Sequence, residues 1–345
     1  MTEKTPITFK PKQVVKKLLS VLGDRSQDVI VSRFGLGKDT KRMTLEAIGK
    51  KYKITRERVR QIENYSIINI RKSKECAKEK AVFDELRAII ADLGAVVSEE
   101  GLLKHLSKDK STQNQIHFLL VVGEDFTKEK EDTEFKHRWI VDKELAKKIH
   151  TSLRTLYSTL SDDEILLESD MVDKFLEHIK DVSDKYKNQE IAKRWLTLSK
   201  LIDKNPLGEW GKTGSSNINA KGMRDYAYLV IRRHGSPIHF REVAKLITEL
   251  FKKKAHVATT HNELIKDPRF VLVGRGLYAL SEWGYMSGVV KDVIKTVIEK
   301  NGPLTKDEII KKVLKERYVK ENTIMVNLQN PKFFKKSKDG KYSIA

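Results

Sequence analysis

Residues 44–63 read Thr-Leu-Glu-Ala-Ile-Gly-Lys-Lys-Tyr-Lys-Ile and then Thr-Arg-Glu-Arg-Val-Arg-Gln-Ile-Glu, a pattern that predicts a helix-turn-helix. Thr55 is suited to begin the second helix, because its hydroxyl can accept a hydrogen bond from an otherwise unpaired backbone N–H. At about 100° per residue, Val59 and Ile62 fall on one face of that helix. The opposite face carries Arg56, Glu57, Arg60 and Gln61.

An apolar face packed on its own domain and a polar face open to solvent are what a recognition helix needs. Arg can pair bidentately with guanine, Glu can accept from cytosine, and Gln can bridge adenine. A solvated amphipathic surface helix is the alternative, because helices rich in Arg and Glu are common. The candidate DNA-binding residues are Thr55, Arg56, Glu57, Arg58, Arg60 and Gln61.

The run from about Leu18 to Arg71 resembles region 4 of the bacterial primary sigma factors, the part that reads the promoter −35 element. The resemblance is carried by Arg25, Val29, Arg33-Phe-Gly-Leu36, Thr44-Leu-Glu-Ala-Ile-Gly49 and nearly all of Thr55–Glu63. It implies that the helices around Leu18–Leu36 face the flap of the polymerase β subunit. It also implies contact with −35 bases or adjacent phosphates by Arg56, Glu57, Arg60 and Gln61.

The segment departs from the sigma pattern in two places. Many members carry Gly or Asn in the turn where Lys53 stands, and a left-handed conformation costs a non-glycine residue on the order of 1 kcal/mol. Beyond Glu63 the usual Ala/Leu-rich tail is replaced by Asn64–Arg71, which predicts different packing there.

The charge distribution favours a polyanionic partner. The 345 residues carry a net charge of +20, which is typical of nucleic-acid-binding proteins. Residues 1–80 hold 21 Lys/Arg against 9 Asp/Glu, and residues 291–345 hold 14 against 7, whereas the middle of the chain is close to neutral. Both ends are therefore candidates for phosphate contact, with solubility as the alternative explanation of the C-terminal lysines.

The single cysteine, Cys76, excludes a disulfide framework and is interpreted as an incidental surface thiol in a reducing compartment. The N-terminal residues 1–12 are polar and do not resemble a signal peptide. Apolar runs such as Phe118–Val122 are too short to span a bilayer. These features predict a soluble, cytoplasmic protein, and the resemblance to bacterial sigma factors implies that it is bacterial and associated with the nucleoid.

Three segments of the chain repeat one order of elements: helix, Gly-containing turn, helix, helix and hairpin. This order is typical of a winged helix, and it occurs in residues 82–145, 224–284 and 289–345. The predicted fold class is mainly α with small β-hairpins, a helix-turn-helix domain followed by several winged-helix-like modules. The predicted domains are 1–80 (sigma region 4-like), 81–150 (winged-helix-like), 151–222 (helical connector and loop), 223–286 (winged helix) and 287–345 (winged-helix-like).

Residues 224–284 also resemble the HARE-type winged helix, through Pro237–Ile247, Asp267–Gly274 and Leu277–Trp283. That family includes the N-terminal domain of the RNA polymerase delta subunit of Gram-positive bacteria, in which the module docks on polymerase. The long acidic tail of delta is replaced here by a basic C-terminal region. In the hairpin, alternation predicts one buried face formed by Phe270, Leu272, Tyr278 and Leu280.

The connector offers no recognisable catalytic or cofactor site. Ser161–Glu164 is expected to cap a broken helix that runs to about Ile202, and Asn205–Asn217 to form a turn-rich linker. Gly211-Lys-Thr213 is not a phosphate loop, because Pro206 stands where the first Gly is required. The histidines show no metal-binding spacing, and His234 and His239 are expected to cap helices or lie at the surface.

The sequence therefore predicts a non-enzymatic transcription factor without cofactor or metal. It would read a −35-like element in double-stranded DNA and dock on the RNA polymerase core, with the β flap as the expected contact. No stretch resembles sigma region 2, so we expect it to read duplex DNA without melting it. The alternatives are an operator-binding regulator independent of polymerase, and the DNA-specificity component of a restriction or repair system.

Overall fold

The computed structural model describes residues 7–179, 182–286 and 288–345, which divide into two compact units. Unit 1 runs to Asp203 and includes Trp210–Thr213, and unit 2 comprises Lys204–Glu209 and Gly214–Ala345. Three short stretches lie outside the described residues. Residues 1–6 belong to the segment on which the signal-peptide expectation rests, and 180–181 belong to the expected connector helix. Residue 287 is the first residue of the fifth predicted domain. Helices joined by small sheets of two or three strands confirm the expected fold class.

The N-terminal part of unit 1 contains the expected helix-turn-helix. Thr44 and Thr55 each cap a helix, accepting hydrogen bonds from the backbone N–H of Ala47 and Arg58. Between the two helices Lys53 adopts the left-handed conformation, with φ 53° and ψ 44°. The helices are α1 (Pro11–Leu19), α2 (Asp24–Phe34), α3 (Leu45–Tyr52), α4 (Arg56–Arg71) and α5 (Lys74–Lys78).

The next part of unit 1 is the first winged-helix module. Its third strand is the central one and pairs antiparallel with the other two. The elements are α6 (Lys80–Asp92), β1 (Val96–Ser98), α7 (Glu99–Leu106), α8 (Lys110–Val122), β2 (Thr127–Glu129) and β3 (Arg138–Ile140).

One hydrophobic core joins this module to the helices that precede it. Leu18, Ile30 and Phe34 of α1 and α2 are buried in the same cluster as Leu86 of α6 and Phe118 of α8. The core is therefore continuous across residue 80. The division of the chain into five domains stays a prediction.

Cys76 also packs against this core and is only partly exposed. Burial raises the pKa of its thiol. The interpretation of Cys76 as a surface thiol was therefore wrong, because its local Lys/Glu context does not reveal the apolar neighbours contributed by distant segments.

The rest of unit 1 is a second helical cluster with a core around Phe175, Trp195 and Trp210, to which Val96 of β1 and Ile140 of β3 also contribute. Ser161 and Glu164 are hydrogen-bonded to each other but do not begin a helix, contrary to expectation, because the first helical residue after them is Glu168. The elements are α9 (Lys143–Thr159), α10 (Glu168–His178), a 3₁₀ turn (Asp184–Tyr186), α11 (Gln189–Leu196), β4 (Ile202–Lys204) and β5 (Trp210–Lys212).

Unit 2 contains two further winged-helix modules with the strand order of the first. The second comprises α12 (Met223–His234), β6 (Ile238–His239), α13 (Phe240–Phe251), α14 (Val257–Lys266), β7 (Phe270–Gly274) and β8 (Leu277–Leu280). The third comprises α15 (Val290–Asn301), β9 (Leu304–Thr305), α16 (Lys306–Glu316), α17 (Glu321–Leu328), β10 (Phe334–Lys336) and β11 (Lys341–Ile344). His239 caps α13 as expected.

The hairpin of the second module differs from its expected pattern at one residue. Phe270, Tyr278 and Leu280 are buried, but Leu272 is 49% exposed. Leu272 lies on the edge strand β7, directly before a register shift between Leu272 and Gly274. The buried neighbours are instead Val271 and Val273, which pack in a cluster with Trp283 and Tyr285. The expectation that Leu272 is buried was therefore wrong.

Candidate nucleic-acid interface

Helix α4 has the two faces expected of a recognition helix. Val59 is fully buried and packs with Val29 of α2 and Ile48 of α3, and Ile62 is partly buried against the same cluster. The opposite face is open to solvent. All six candidate residues are exposed: Thr55, Arg56, Glu57, Arg58, Arg60 and Gln61.

The angle between α3 and α4 depends on a close backbone approach at Gly49. A Cβ on Gly49 would lie 2.7 Å from the carbonyl oxygen of Ile54, a separation that real Cβ atoms do not show. The backbone N–H of Ile54 donates to the carbonyl of Gly49 at 3.0 Å. Glycine is therefore required at this position for the turn to bring α4 against α3.

Arg33 ties α2 to α4 at the inner edge of the site. Its Nε donates to the carboxylate of Glu63 at 3.2 Å, and its Nη1 donates to the carbonyl of Met43 at 3.1 Å. Both side chains of this ion pair are partly buried. The contact fixes the middle of α4 relative to α2 without using the exposed face.

Several of the candidate side chains pair with one another along α4. Arg60 donates from Nε and Nη2 to Glu57 at 2.9 and 2.6 Å, and Arg58 donates to Gln61 at 3.1 Å. The hydrogen bond from Arg60 lowers the pKa of the Glu57 carboxyl. Arg56, in contrast, makes no ion pair with any residue that the structure describes.

The pairs have a consequence for base recognition. Residues three apart on a helix are neighbours. In the free protein the side chains of Glu57 and Arg60 are therefore hydrogen-bonded to each other on the helix surface. Recognition of a base edge would exchange these intramolecular hydrogen bonds for intermolecular ones. Among the described residues Arg56 has no ion pair to exchange, and such a guanidinium is suited to bidentate pairing with guanine.

Two structural features of the site are not visible in its local sequence. The side-chain amide of Asn114, on α8, is buried and donates to the carbonyls of Gly35 and Thr40 at 3.0 and 2.8 Å. Its amide oxygen accepts from Nε of Arg42 at 2.9 Å. The loop between α2 and α3 is therefore held by a residue more than seventy positions away.

The C-terminal half of α4 is also anchored on α8. The guanidinium of Arg71 donates to the carbonyls of Val122 and Val121 at 2.8 and 2.9 Å. Farther toward the N-terminus, Tyr65 and Ile68 remain 65% and 46% exposed. Their position extends the outer surface of α4 beyond Gln61, within the stretch 64–71 where the sequence departs from the sigma pattern.

A buried polar cluster lies under the first module. The carboxylate of Glu99 contacts Lys128 at 2.5 Å and His117 at 3.4 Å, and it accepts from Nε1 of Trp139 at 3.1 Å. Burial acts to raise the pKa of Glu99, but the hydrogen bonds from His117 and Lys128 outweigh it and hold that pKa far below its usual range. Buried Nδ1 of His117 has no hydrogen-bond partner among the described residues, but the other contacts pair the cluster with itself, which indicates a structural role.

The segment Gly211–Thr213 is not built as a phosphate loop. Lys212 lies in strand β5, where its ammonium forms an ion pair with Asp162 at 2.8 Å and lies 4.7 Å from the ring centre of Tyr157. Within the described ranges, no group of three or more His, Cys, Asp or Glu could hold a metal ion. In the same ranges no helix combines the length and apolar character needed to cross a membrane.

Comparison with known proteins shows that the helix-turn-helix segment is similar to a known family. Residues 18–72 match the family described as Sigma-70, region 4. RNA polymerase sigma factor RpoD of Helicobacter pylori is 47% identical over 60 residues, which are 17% of this chain and 9% of the relative. RNA polymerase sigma factor SigA of Lactococcus lactis subsp. cremoris is 42% identical over 60 residues, 17% of this chain and 16% of the relative.

A third relative, RNA polymerase principal sigma factor HrdD of Streptomyces griseus, is 31% identical over 70 residues, 20% of this chain and 21% of the relative. The chain thus spans no more than about a fifth of the length of any of these three relatives. The sigma resemblance of residues 18–72 is confirmed. The matched segment contains all of α2, α3 and α4, and hence every candidate residue of the interface.

Proposed function

We propose that this chain binds duplex DNA through the exposed face of α4, reads a −35-like promoter element, and modulates transcription initiation by docking on RNA polymerase. The observation that carries the proposal is a set of exposed side chains on α4 within a segment that matches Sigma-70, region 4: Arg56, Glu57, Arg58, Arg60 and Gln61. The buried Val59 and the close turn at Gly49 support it, because they orient that face outward.

Docking on the β flap would use the outer side of α1 and α2. The apolar side chains of these helices, Leu18, Ile30 and Phe34 among them, are buried against the first module. Asp24, Arg25 and Asp28 of α2 remain exposed. Polymerase contact through these helices would therefore be polar and sensitive to salt.

The same burial favours a second candidate function, that of an operator-binding regulator independent of polymerase. If α8 covers the apolar side of α1 and α2 permanently, that side is not available to a polymerase subunit. Helix α4 could still read DNA in that state. The two functions share the DNA-binding step and differ in the partner. Both are non-enzymatic.

The second module is proposed to contact protein. Strand β7 is bridged to Tyr318, whose backbone N–H donates to the carbonyl of Val273 at 2.7 Å, so the wing is packed within unit 2. The outer side of α14 carries the exposed apolar residues Val257 and Ile265. Such a surface suits protein docking better than a phosphate backbone.

Selection of binding sites with the full chain tests the DNA-binding step. Random duplex DNA should be enriched for one short motif by the wild-type chain, and the motif should weaken or disappear with Arg56→Ala. Arg87→Ala, which removes one exposed positive charge from α6, is the matched control and should leave the motif unchanged. Absence of any motif with the wild-type chain would refute sequence-specific reading.

Affinity purification of the full chain from its native cell, after nuclease treatment, separates the two functions. Recovery of the polymerase β and β′ subunits would support a polymerase-bound factor, and their loss on Arg25→Ala would assign the contact to α2. Recovery of DNA-binding activity without β and β′ would overturn polymerase docking and favour the operator-binding regulator.

A further inference from the structure

The three winged-helix modules leave very different surfaces open, although they share one strand order. In a winged helix that binds DNA, the third helix enters the major groove and the hairpin lies along the backbone. In the first module that helix is α8, where Ile116, Phe118, Leu119 and Leu120 are fully buried. Helix α8 serves as a packing element against α1 and α2, so the first module cannot place it in a groove.

In the second module the hairpin that forms the wing is already covered by other residues of unit 2. Val271, Val273 and Ala279 of its hairpin are buried in a cluster with Trp283 and Tyr285. The outer strand β7 is bridged to Tyr318 through Gly274. A hairpin covered in this way cannot follow a phosphate backbone.

The third module leaves both elements free. On α17, Asn322, Thr323 and Val326 are exposed. The wing follows α17 after a short turn and is anchored by the buried side chains of Phe334 and Tyr342. Its exposed lysines are Lys335, Lys336, Lys338 and Lys341.

The wing lysines are close to uncompensated. The only acidic residue between Phe334 and Ile344 is Asp339, at the tip. None of the four lysines forms an ion pair with a residue that the structure describes. Lys336 lies 5.8 Å from the ring centre of Tyr342. The charge of Lys341 adds to the lowering of the pKa of Glu308 that begins with the hydrogen bonds from Thr305. Residues 291–345 as a whole carry a net charge of +7.

We propose that the third module is a second contact for duplex DNA, in which the wing lysines bind backbone phosphates beside the groove that receives α17. The lysine ammonium is a point charge without the planar fork of arginine, so this contact adds affinity but little sequence preference. The major groove of B-form DNA admits a helix, whereas the deep, narrow major groove of A-form RNA does not. Double-stranded DNA is therefore the partner. This proposal does not depend on α4.

The test uses the full chain and a duplex without the motif that α4 prefers. Replacement of the four wing lysines, Lys335, Lys336, Lys338 and Lys341, by Gln should lower affinity. It should also flatten the plot of log K against log salt by roughly two to four units, since each phosphate contact contributes about 0.9. Replacement of the same four by Arg should retain both affinity and slope, which distinguishes lost charge from lost folding.

The matched control removes four exposed lysines from α15 and α16: Lys295, Lys300, Lys311 and Lys315. The control variant has the same net charge as the wing variant and should change the slope by less than about one unit. Equal losses in the two Gln variants would overturn the proposal in favour of a diffuse effect of net charge. Binding of double-stranded RNA as tight as that of DNA would overturn the assigned partner.

Discussion

Lys53 holds a left-handed conformation at the turn on which the helix-turn-helix depends. A side chain in this region costs on the order of 1–2 kcal/mol, and glycine avoids that cost but loses more entropy on folding. Lys53 is exposed, so its side chain contributes little packing to offset the strain. This sequence thus has the left-handed backbone conformation without the Gly or Asn that many sigma sequences carry in this turn.

We expect Lys53→Gly to stabilise the helix-turn-helix by about 0.5–1 kcal/mol. The measurement is amide hydrogen exchange of α3 and α4 in the full chain. Lys50→Gly makes the same replacement within the right-handed turn of α3 and should destabilise the segment by about 1 kcal/mol. A destabilising effect of Lys53→Gly would show that the strain argument is wrong.

His150 links the stability of unit 1 to pH. Its ring is 8% exposed and lies 4.5 Å from that of Phe135. Burial lowers the pKa of His150 to about 4, with a further lowering by Arg138 and Arg154 and opposing effects of Glu129 and Asp132. Because the pKa is depressed in the folded state, the unfolded chain binds the proton first as the pH falls below about 6.5.

The stability of unit 1 should therefore be full above about pH 6.5 and decrease as the pH falls toward 4, by roughly 1–2 kcal/mol from His150 after solvent screening. His150→Phe keeps an aromatic ring and should make the profile shallower in this window, measured by denaturant unfolding at a series of pH values. His256→Phe makes the same change at an exposed site in unit 2 and is the control. An unchanged profile in His150→Phe would exclude this histidine as the cause.

At the scale of elements, the local sequence was enough to predict the features that depend only on residues close together along the chain. Helix α4 is capped by Thr55, and α16 is capped by Thr305, which forms a capping box with Glu308. Each of these helix starts is specified by a pattern of only a few residues. The pairing of Glu57 with Arg60 also follows from helical spacing. The exposed face of α4 could be predicted because its period is regular.

Features that depend on distant partners could not be predicted. The burial of α8 against α1 and α2, and the hold of Asn114 on the loop 35–42, join segments that no local pattern connects. Leu272 has the alternation of a buried residue but lies on an edge strand beside a register shift. Helix α9 is a different case, because its buried residues Leu145, Ile149 and Leu153 recur at regular helical spacing and periodicity alone would predict it.

The hairpin of the second module gives a direct test of this packing. Phe270 is 7% exposed, and Phe270→Ala should destabilise unit 2 by about 3–5 kcal/mol. Leu272→Ala, two residues along the same strand but half exposed, should cost no more than about 1 kcal/mol. Denaturant unfolding of the full chain with hydrogen exchange of α12 to β8 measures both. Similar losses for the two variants would contradict the edge position of Leu272.

At the scale of the whole molecule, the sigma-like segment and the first winged-helix module share one hydrophobic core in unit 1. Leu18, Ile30 and Phe34 would lose their covering residues in a fragment that ends at residue 80. We expect a fragment of residues 1–80 to show little amide protection in α1 and α2, and a fragment of residues 1–213 to show protection close to that of the full chain. Full protection in the shorter fragment would show that α1 to α5 fold without α8.

The central claim is that the exposed face of α4 reads the sequence of duplex DNA. The most direct measurement is the affinity of the full chain for its selected duplex divided by its affinity for a scrambled duplex at the same salt concentration. The ratio is measured for Arg56→Ala, for Gln61→Ala and for the control Arg87→Ala. We expect the two α4 variants to lose about 1–3 kcal/mol of discrimination, with little change on scrambled DNA and an unchanged ratio for the control. Equal losses on both duplexes, or none, would contradict base reading by α4.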